Sequence, residues 1–443
     1  MTSSHPFTKH PHRTLVGLSI PVLVSLTAEP ITALVDTTFI SSLGVVPLAA
    51  LGVGTTALSS LFWMFNFLGV STQTEIAQSF GKGETDQAGR TFSLALILAA
   101  FFGLLLIAAI YPTANWLANL LGAADGVQSN AVSYMQIRLF GAPAVLFTLV
   151  AFGALRGQQD MRTPLLIALG LNGLNILLDW LLIFGNGPFP VMGVAGSALA
   201  STISQWLGAL AAVILTAKKI GFSMKVEFQE AKNLLRIGGD LFVRTGLLNL
   251  FLAYTTRVAN GLGADSGAAH QVIRQMWVFT ALALDAFAAT VQSLVGYFIG
   301  KGSLSDVKNV VRVAMIWSTG TGAFLGVLLW LGRILIANWM VPPASVSVFL
   351  ASWGIFAFSQ PFNSLAFLTD GVHWGTGDYR FLRNAMFISS AAAIIGTWFL
   401  EQSGAGSLVW IWALIGIWIL LRGGFGLLRI WPGIGNSPFK RID

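Results

Sequence analysis

Long apolar segments separated by short polar stretches run through the whole sequence and limit what the chain can fold into. Only 10% of its 443 residues are charged, against about 25% in soluble domains. A helix needs about 20 apolar residues to cross a bilayer. Twelve segments reach that length: 14–42, 48–77, 89–118, 129–155, 162–186, 191–217, 231–260, 266–299, 307–341, 346–371, 381–402 and 406–434. The sequence therefore predicts an all-α integral membrane protein with twelve transmembrane helices.

The positions of Lys and Arg predict how these helices are oriented. Alternate loops contain neither residue: 43–47, 119–128, 187–190, 261–265, 342–345 and 403–405. The remaining loops and both chain ends are basic, as cytoplasmic loops usually are. We therefore expect both ends of the chain inside, which requires an even number of spans. The N-terminal sequence MTSSHPFTKHPHRT has no apolar signal-peptide core, so the first segment is expected to be a retained helix.

Short motifs recur in the second half of the chain at a nearly constant offset in residue number. LG at 43–44, AA at 49–50 and GKG at 81–83 recur at 262–263, 268–269 and 300–302, an offset of 219 in each case (262 − 43, 268 − 49 and 300 − 81). Three further residues recur at an offset of 218: Pro143 as Pro361, Gly157 as Gly375 and Asp160 as Asp378. A duplication followed by the loss of one residue accounts for both offsets.

The repeated unit holds six predicted helices, so both copies enter the membrane from the same side. Such copies are related by an axis along the membrane normal. The sequence thus predicts two six-helix bundles related by pseudo-two-fold symmetry. The N-terminal lobe covers 1–218 with helices 1–6, a cytoplasmic linker covers 219–230, and the C-terminal lobe covers 231–443 with helices 7–12. Two such bundles around a central cleft suit alternating access.

Two acidic residues, Asp36 and Asp179, lie inside predicted helices 1 and 5. An acid at the centre of a membrane costs roughly 2.5–3.5 kcal/mol on insertion scales, so by default it marks a functional site. Burial disfavours the charged form of a carboxyl group, so such a residue can bind and release a proton. We predict that the two acids form a proton or cation site in a transporter.

Several polar side chains are placed to complete this site. Asn172, Asn175 and Asp179 lie at spacings of three and four, which puts them on one face of helix 5. Their amide and carboxylate groups can relay a proton or bind a small cation through oxygen. Hydroxyl groups on predicted helices 4 and 6 can contribute as well: Tyr134, Ser201 and Thr202.

Both acids also have a structural interpretation. Asp36 can be satisfied by the hydroxyl groups of Thr32 or Thr37, and Asp179 can act as a polar clamp between helices. The repeat offset places Thr255 opposite Asp36. An acid at this position is therefore not required by the scaffold, which favours the functional interpretation.

Three other positions in predicted helices leave two interpretations open. Asp285 and Asp370, in the second half, form either a second polar site or helix contacts. Pro21 in helix 1 kinks the helix, and the kink is either a hinge upstream of Asp36 or a static packing feature.

The sequence lacks the residues that metal binding, nucleic-acid binding or enzymatic catalysis would require. The chain has no cysteine, which excludes disulfides and thiolate metal sites. Its net charge of +7 comes from basic residues scattered through short loops, so nucleic-acid binding is not expected. The sequence shows no phosphate-binding loop, no His/Asp/Glu metal cluster and no nucleophile–base pair. An enzyme and a cofactor are therefore not expected.

Together these features resemble the multidrug and toxic compound extrusion (MATE) family of transporters, in its DinF-like branch. The resemblance covers the chain from Pro21 to about Pro432. It rests on these motifs: VDTTFISSLG at 35–44, LRGQQDMRTP at 155–164, N-x-x-x-D at 175–179, ALALDAFAATVQSLVG at 281–296 and FLTDGVHWGTGDYRFLRNAM at 367–386. The resemblance implies two six-helix halves around a cleft and export of mostly cationic, amphipathic drugs against a proton or sodium gradient.

The resemblance also implies roles for individual residues. It makes Asp36 the principal coupling acid, with Asn175 and Asp179 as its partners. It places Tyr134 and Ser201 in supporting positions and makes Pro21 the point where helix 1 bends.

This chain departs from the family pattern in its second half. The DinF-like branch usually has a glutamate where this chain has Gln292. The acid that the NorM-like branch carries on helix 7 has no counterpart. Both departures favour ion coupling through the N-terminal lobe.

Two transport functions remain open. The first is a multidrug antiporter that exchanges amphipathic, mostly cationic compounds for protons, with sodium at Asp36, Asn175 and Asp179 as the less favoured ion. The second is a flippase for a lipid-linked precursor, which needs a cationic cleft. The intramembrane arginines are dispersed along the sequence, which argues against the second: Arg138, Arg244, Arg257, Arg274 and Arg333. We expect a monomer in a bacterial cytoplasmic (inner) membrane, with the lipid bilayer and small-molecule substrates as its only partners.

Overall fold

A computed structural model describes residues 5–223, 228–404 and 406–440 of the chain. Within these ranges the secondary structure is helical, without strands. The α-helices are α1 (Pro6–Lys9), α2 (Pro11–Ser41), α3 (Val45–Met64), α4 (Phe67–Lys82), α5 (Thr85–Ile110), α6 (Ala114–Leu120), α7 (Asp125–Leu139), α8 (Ala142–Gly157), α9 (Arg162–Phe184), α10 (Gly193–Ile220), α11 (Phe228–Gly261), α12 (Ala264–Gly300), α13 (Leu304–Met340), α14 (Val346–Thr376), α15 (Tyr379–Gln402) and α16 (Leu408–Ile430). Two short 3₁₀ turns cover Pro343–Ser345 and Pro438–Lys440.

Each of the twelve predicted segments coincides with one helix or with a pair of helices. The segment predicted at 48–77 is divided into α3 and α4 by a break at Phe65 and Asn66. The segment predicted at 129–155 consists of α7 and α8, which are bent by 49° at their junction. The segment predicted at 89–118 covers α5 and continues into the short helix α6.

Fewer than twelve of these elements are both long enough and apolar enough to be assigned as membrane spans in the described part of the chain. Among the described residues, nine helical stretches are long and apolar enough to cross a membrane, or ten if the bent α7–α8 pair is one span. The two other predicted segments are α11 and α15. Arg244 and Arg257 interrupt the apolar sequence of α11, and α15 begins with two arginines in its first turns, so their mean hydropathy is lower. The all-helical fold is confirmed for the described residues, whereas the count of twelve spans stays a prediction.

The chain divides into two compact units. The N-terminal unit contains Ile20–Gly238, and the C-terminal unit contains the chain from Gly239 onward together with the residues up to Ser19. These boundaries differ from the predicted lobes at 1–218 and 231–443 in two places, at the N-terminus and after α10. Part of the predicted linker, 224–227, lies outside the described residues.

Apolar contacts explain the first difference. Phe7 and Leu15 are fully buried in a core that also contains Val291, Leu294 and Phe298 of α12. The N-terminal segment therefore packs on residues from the other half of the sequence, which chain order alone did not indicate.

Polar and packing contacts explain the second difference. Glu230, in the first turn of α11, lies 3.5 Å from Nε of Arg90 and accepts a hydrogen bond of 3.2 Å from Gln87. Further along α11, Gly238 packs closely against the ring of Phe67. The beginning of α11 thus belongs to the N-terminal unit.

The two units contain the same helix pair, α4 with α8 and α12 with α14. A Cβ atom on Gly153 of α8 would lie 2.3 Å from the carbonyl oxygen of Gly69 on α4. A Cβ atom on Gly371 of α14 would lie equally close, 2.3 Å, to the carbonyl oxygen of Ala288 on α12. The second contact is related to the first by offsets of 219 (288 − 69) and 218 (371 − 153) in the numbering. These are the two offsets of the sequence motifs, so the structure supports the predicted duplication.

Asp160 and Asp378, which the repeat pairs, each bind a basic residue from the end of a later helix. The carboxylate of Asp160 accepts hydrogen bonds from Nζ of Lys219 and from Oγ1 of Thr163, the latter at 2.6 Å. Burial raises the pKa of Asp160, but these hydrogen bonds outweigh burial and leave the pKa below its usual value. Asp378 accepts a hydrogen bond of 2.7 Å from Nε of Arg429. Each acid thus links the short connection between two helices to the end of a third helix.

Large apolar side chains cover much of the outer surface. Leu34, Phe101, Phe324 and Leu331 are each more than half exposed. A lipid environment, in which such side chains are not exposed to water, explains this surface.

Candidate functional site

Four helices of the N-terminal unit bring the predicted site residues together. Asp36 comes from α2, Tyr134 from α7, Asn175 and Asp179 from α9, and Ser201 from α10. Asp179 is fully buried and Tyr134 is 4% exposed, whereas Asp36 is half-buried. An apolar core that includes Ile40, Met135 and Ile183 surrounds them. The site is therefore a small polar cluster in an apolar setting.

The carboxyl groups of Asp36 and Asp179 lie within hydrogen-bonding reach of each other. Neither lies within 4 Å of a Lys or Arg nitrogen, as judged over the described ranges. Oδ1 of each residue is buried and has no hydrogen-bond partner in that part of the chain. Two adjacent carboxylates repel when both are charged, so a proton held between them stabilises the pair. This arrangement can hold and release a proton.

Asn175 connects this acid pair to α10. Its Nδ2 donates a hydrogen bond of 2.7 Å to Oδ2 of Asp179, and its Oδ1 accepts a long contact of 3.5 Å from Oγ of Ser201. The amide oxygen can only accept and the amide nitrogen can only donate a hydrogen bond. The contact with Ser201 therefore turns the nitrogen toward Asp179, and this hydrogen bond holds the carboxyl group of Asp179 in place.

Tyr134 is placed beside the acids by a glycine on α3. A Cβ atom on Gly54 would lie 2.4 Å from Cδ1 of the Tyr134 ring, so only glycine leaves room for the ring. The Tyr134 hydroxyl lies near Arg138, one turn further along α7, and Arg138 in turn attracts Asp36 electrostatically. The positive charge of Arg138 therefore stands close to the acid pair.

Two residues of this site were missed by sequence reasoning in this role. Ser197, which is fully buried on α10, lies next to the carboxyl group of Asp179. In the sequence Arg138 is only one of several dispersed arginines. Their positions depend on how α7 and α10 pack against α2 and α9. The spacing of residues within a single helix does not indicate how that helix packs against others.

Other predicted neighbours do not join the site. Thr32 and Thr37 donate to the carbonyl oxygens of Ala28 and Ala33 in their own helix, at 3.1 and 2.7 Å. Neither of these two hydroxyl groups thus donates to Asp36.

Two further neighbours also bond to backbone. Asn172 donates to the carbonyl oxygen of Ala168 at 2.8 Å. Thr202 donates to the carbonyl oxygens of Ile137 and Ala198. In both cases the polar group is satisfied by the backbone of a helix and does not reach the acids.

Pro21 and Pro30 both lie inside α2, which runs without a break from Pro11 to Ser41. The division between the two units falls within this helix, between Ser19 and Ile20 and just before Pro21. A proline lacks the backbone N–H of the helical ladder. Bending of α2 at Pro21 stays a prediction.

A second polar cluster lies in the C-terminal unit. Asp370 on α14 binds Arg244 of α11 and Arg422 of α16, and Asp285 on α12 attracts Arg422 electrostatically. Asp285 and Asp370, which the sequence leaves between two interpretations, thus both interact electrostatically with Arg422. The sequence alone gives no signal that Arg422 belongs to this cluster.

The acid pair offers oxygen ligands to a cation. Over the described ranges, no group of three or more His, Cys, Asp or Glu side chains could hold a metal ion. Asp36, Asp179 and Asn175 offer two carboxylates and one amide oxygen, which is an oxygen set suited to a hard monovalent cation. Sodium binding here stays a prediction.

Comparison with known proteins places this chain among transporters. The MatE family model matches residues 21–181 and 241–399. The chain is 28% identical to Protein DETOXIFICATION 44, chloroplastic, of Arabidopsis thaliana, over 97% of this chain and 83% of that protein. It is 29% identical to DNA damage-inducible protein F of Escherichia coli (strain K12), over 95% of this chain and 92% of that protein.

Two further comparisons agree. The chain is 23% identical to the Probable multidrug resistance protein NorM of Thermotoga maritima, over 82% of this chain and 80% of that protein. A crystal structure of MATE in the bent conformation superposes with a TM-score of 0.87 at 21% identity and covers 95% of this chain and 96% of that one. At this identity the likeness of the two structures concerns the fold alone. The family model matches both halves of the chain, and we conclude that this protein is a member of the MATE family, a family of multi-pass membrane transporters and not of enzymes.

Proposed function

We propose that this protein is a secondary active antiporter that exports amphipathic, mostly cationic compounds in exchange for protons by alternating access. The observation that carries the proposal is the contact between the carboxyl groups of Asp36 and Asp179 in an apolar surrounding. A buried acid pair without an ion-pair partner binds a proton in one state and must lose it in another. Family membership and relatives named for multidrug resistance support the substrate class.

The proposed coupling runs through the charge of the acid pair. When the pair is protonated, Asp36 and Asp179 no longer repel, and α2 can pack more closely on α9. When the proton leaves, Arg138 balances the remaining negative charge. The substrate and the proton favour opposite states, so that binding of one drives release of the other. Bending of α2 at Pro21 is the proposed change of shape.

The proton is preferred over sodium because the two carboxyl groups contact each other. A sodium ion between them would have to separate them and replace the Asn175–Asp179 hydrogen bond of 2.7 Å. A proton fits the pair as it stands. No cofactor is proposed beyond the ion gradient.

The proposed membrane arrangement follows the sequence. We propose twelve spans in two six-helix bundles with both chain ends inside. The predicted lobes at 1–218 and 231–443 are kept, except for the two ends that the compact units assign differently. The proposed location is a bacterial inner membrane, although relatives also include a protein named as chloroplastic. A monomer is proposed as the transporting unit.

A flippase for a lipid-linked precursor is the second candidate. One observation favours it, since Arg244 and Arg422 meet at Asp370 and are not dispersed. Two arginines that share a carboxylate leave little net positive charge for a pyrophosphate, so the antiporter is preferred.

The test is export of ethidium, a fluorescent cationic dye, from bacterial cells that lack their own pumps. Export by the wild type should stop when a protonophore is added and should not depend on sodium. Asp36→Asn should abolish export at matched expression. Glu401→Gln is the control, because Glu401 lies in an exposed ion pair with Arg257.

Three results would overturn parts of this proposal. Normal, protonophore-sensitive export by Asp36→Asn would exclude Asp36 as the coupling acid. Export that requires a sodium gradient and survives the protonophore would replace the proton by sodium at the same residues. Flipping of a labelled lipid-linked precursor in vesicles without dye export would favour the flippase.

A further inference from the structure

Two arginines from different helices of the C-terminal unit share one carboxylate oxygen. Nη2 of Arg244 and Nη2 of Arg422 both donate to Oδ2 of Asp370, the second at 2.7 Å. All three side chains are more than nine-tenths buried. Two buried positive charges thus stand against one negative charge in this triad.

Several donors of these arginines have no acceptor. Nε and Nη1 of Arg422 and Nε of Arg244 are buried without a hydrogen-bond partner among the residues that the structure describes. A buried donor left unsatisfied is unfavourable, and more so when it belongs to a charged group. The strongest acceptor for a guanidinium group is a carboxylate or another oxyanion. These donors can therefore accept a further oxyanion as a hydrogen-bond partner.

The surroundings of these donors are aromatic. Cζ of Arg422 lies 4.4 Å from the centroid of the Trp418 ring and 5.9 Å from that of Phe367. Cζ of Arg244 lies 5.2 Å from the centroid of a Trp374 ring. Arginines held against aromatic rings suit a ligand that carries an aromatic ring next to its negative charge.

Asp285 limits how much negative charge the cluster can accept. It is half-buried on α12 and attracts Arg422 electrostatically, so the formal charges of the four residues cancel. A monovalent carboxylate then competes with Asp285 for Arg422. A pyrophosphate, with several negative charges, would exceed what the two arginines can balance.

We propose that the C-terminal unit contains a binding site for an aromatic monocarboxylate, with Arg422 and Arg244 as the anion-binding groups and Trp418 and Phe367 as the apolar wall. The inference rests on the proposed transport function in one respect, that the bound carboxylate is a transported compound. The site extends the substrate range from cations to organic anions or zwitterions.

The test measures binding of radiolabelled benzoate to the purified full-length protein in detergent by equilibrium dialysis. The wild type should bind benzoate saturably. Arg422→Gln and Arg244→Gln should raise the Kd about tenfold or more, as expected for a lost charged hydrogen bond. Asp285→Asn should lower the Kd severalfold, because it removes the competing carboxylate. A purely structural cluster would not give these opposite signs.

Matched variants keep the result interpretable. Arg333→Gln should leave the Kd unchanged, because Arg333 stacks on Trp330 at 4.3 Å outside the cluster. If Arg422→Gln does not fold, as judged by its elution and Tm, Arg422→Lys keeps the charge and should still raise the Kd.

Three results would overturn the proposal. They are absence of saturable benzoate binding to the wild type, equal Kd values for wild type and Arg422→Gln, and weaker binding by Asp285→Asn. Displacement of benzoate by pyrophosphate at lower concentration than by unlabelled benzoate would assign the site to a phosphate headgroup instead. The proposed antiport is tested separately, by ethidium export from cells that express Asp36→Asn. Its failure would not change benzoate binding in the dialysis experiment.

Discussion

Nδ2 of Asn175 donates a 2.7 Å hydrogen bond to Oδ2 of Asp179, one turn further along α9. Asn172, one turn earlier on the same helix, donates to the backbone at Ala168 instead. Two asparagines that look equivalent in the sequence therefore have different roles. One orients a buried acid, and the other satisfies a carbonyl group of its own helix.

This difference predicts unequal effects of two similar substitutions. Asn175→Ala should lower proton-coupled dye export about tenfold, since a hydrogen bond to a charged or protonatable carboxyl group contributes about 1.5–3 kcal/mol. Asn172→Ala should export dye at close to the wild-type rate. The measurement is the initial rate of ethidium export at matched expression. Equal rates for the two variants would show that the Asn175 amide does not act on Asp179.

Gly54 is predicted to be essential for the position of Tyr134. In Gly54→Ala the added Cβ atom would lie 2.4 Å from Cδ1 of Tyr134, so the ring must shift from its place beside the acid pair. We expect a loss of about 1–3 kcal/mol in stability, as for other overpacked sites, together with slower dye export. Gly52→Ala is the control, because nothing lies within 4 Å of its Cβ position. A Tm for Gly54→Ala at or above that of Gly52→Ala would contradict the steric argument.

The repeated close contact predicts matching defects in the two units. Gly153→Ala and Gly371→Ala each place a Cβ atom 2.3 Å from a backbone carbonyl oxygen, which cannot rotate away as a flexible side chain can. Both should lower the Tm of the purified protein by similar amounts. Gly170→Ala, with open space at its Cβ position, should keep or raise the Tm, because alanine is the better helix former by about 1 kcal/mol. A normal Tm for either of the first two variants would show that its helix pair can separate at little cost.

The Asp160–Lys219 pair predicts a small dependence of stability on pH. The pKa of Asp160 is lower in the folded chain than its usual value, which is about 3.9 in model peptides. Its contribution is therefore fully present above that usual pKa and is lost as the pH falls through the folded pKa. Lys219 is 42% exposed, so solvent screening limits the contribution to less than about 1 kcal/mol.

This pH dependence is checked by measuring the Tm in detergent between about pH 2 and 6. Asp160→Asn should lower the Tm in the upper part of this range and should flatten its decline at lower pH. Asp86→Asn, at an exposed first turn of α5, is the control for removing an acid from the same end of a helix. A decline for Asp160→Asn as steep as that of the wild type would exclude Asp160 as its source.

The sequence by itself determined the class of the protein, its helices and its duplication. Apolar length decides whether a segment can cross a bilayer, and each of the twelve segments coincides with a helix or a helix pair. Motif offsets of 219 and 218 reappear in the backbone contacts at Gly69–Gly153 and Ala288–Gly371. The apolar length of a segment is a local property, and the motif offsets follow from comparing the two halves of the sequence. Neither depends on how the helices pack.

Only the tertiary structure decided which polar groups meet. Asp36 and Asp179 lie far apart in the sequence, in the first and fifth predicted segments. A shared site was predicted for them, but only the packing of α2 on α9 brings their carboxyl groups within hydrogen-bonding reach. Likewise, Arg244 and Arg422 are unrelated in the sequence, and only the packing of α11, α14 and α16 brings them to one oxygen of Asp370. In an apolar setting each unpaired polar group is costly, and the partner that satisfies it is chosen by the packing of whole helices. The periodicity of a single helix shows which face is polar, but not what lies opposite.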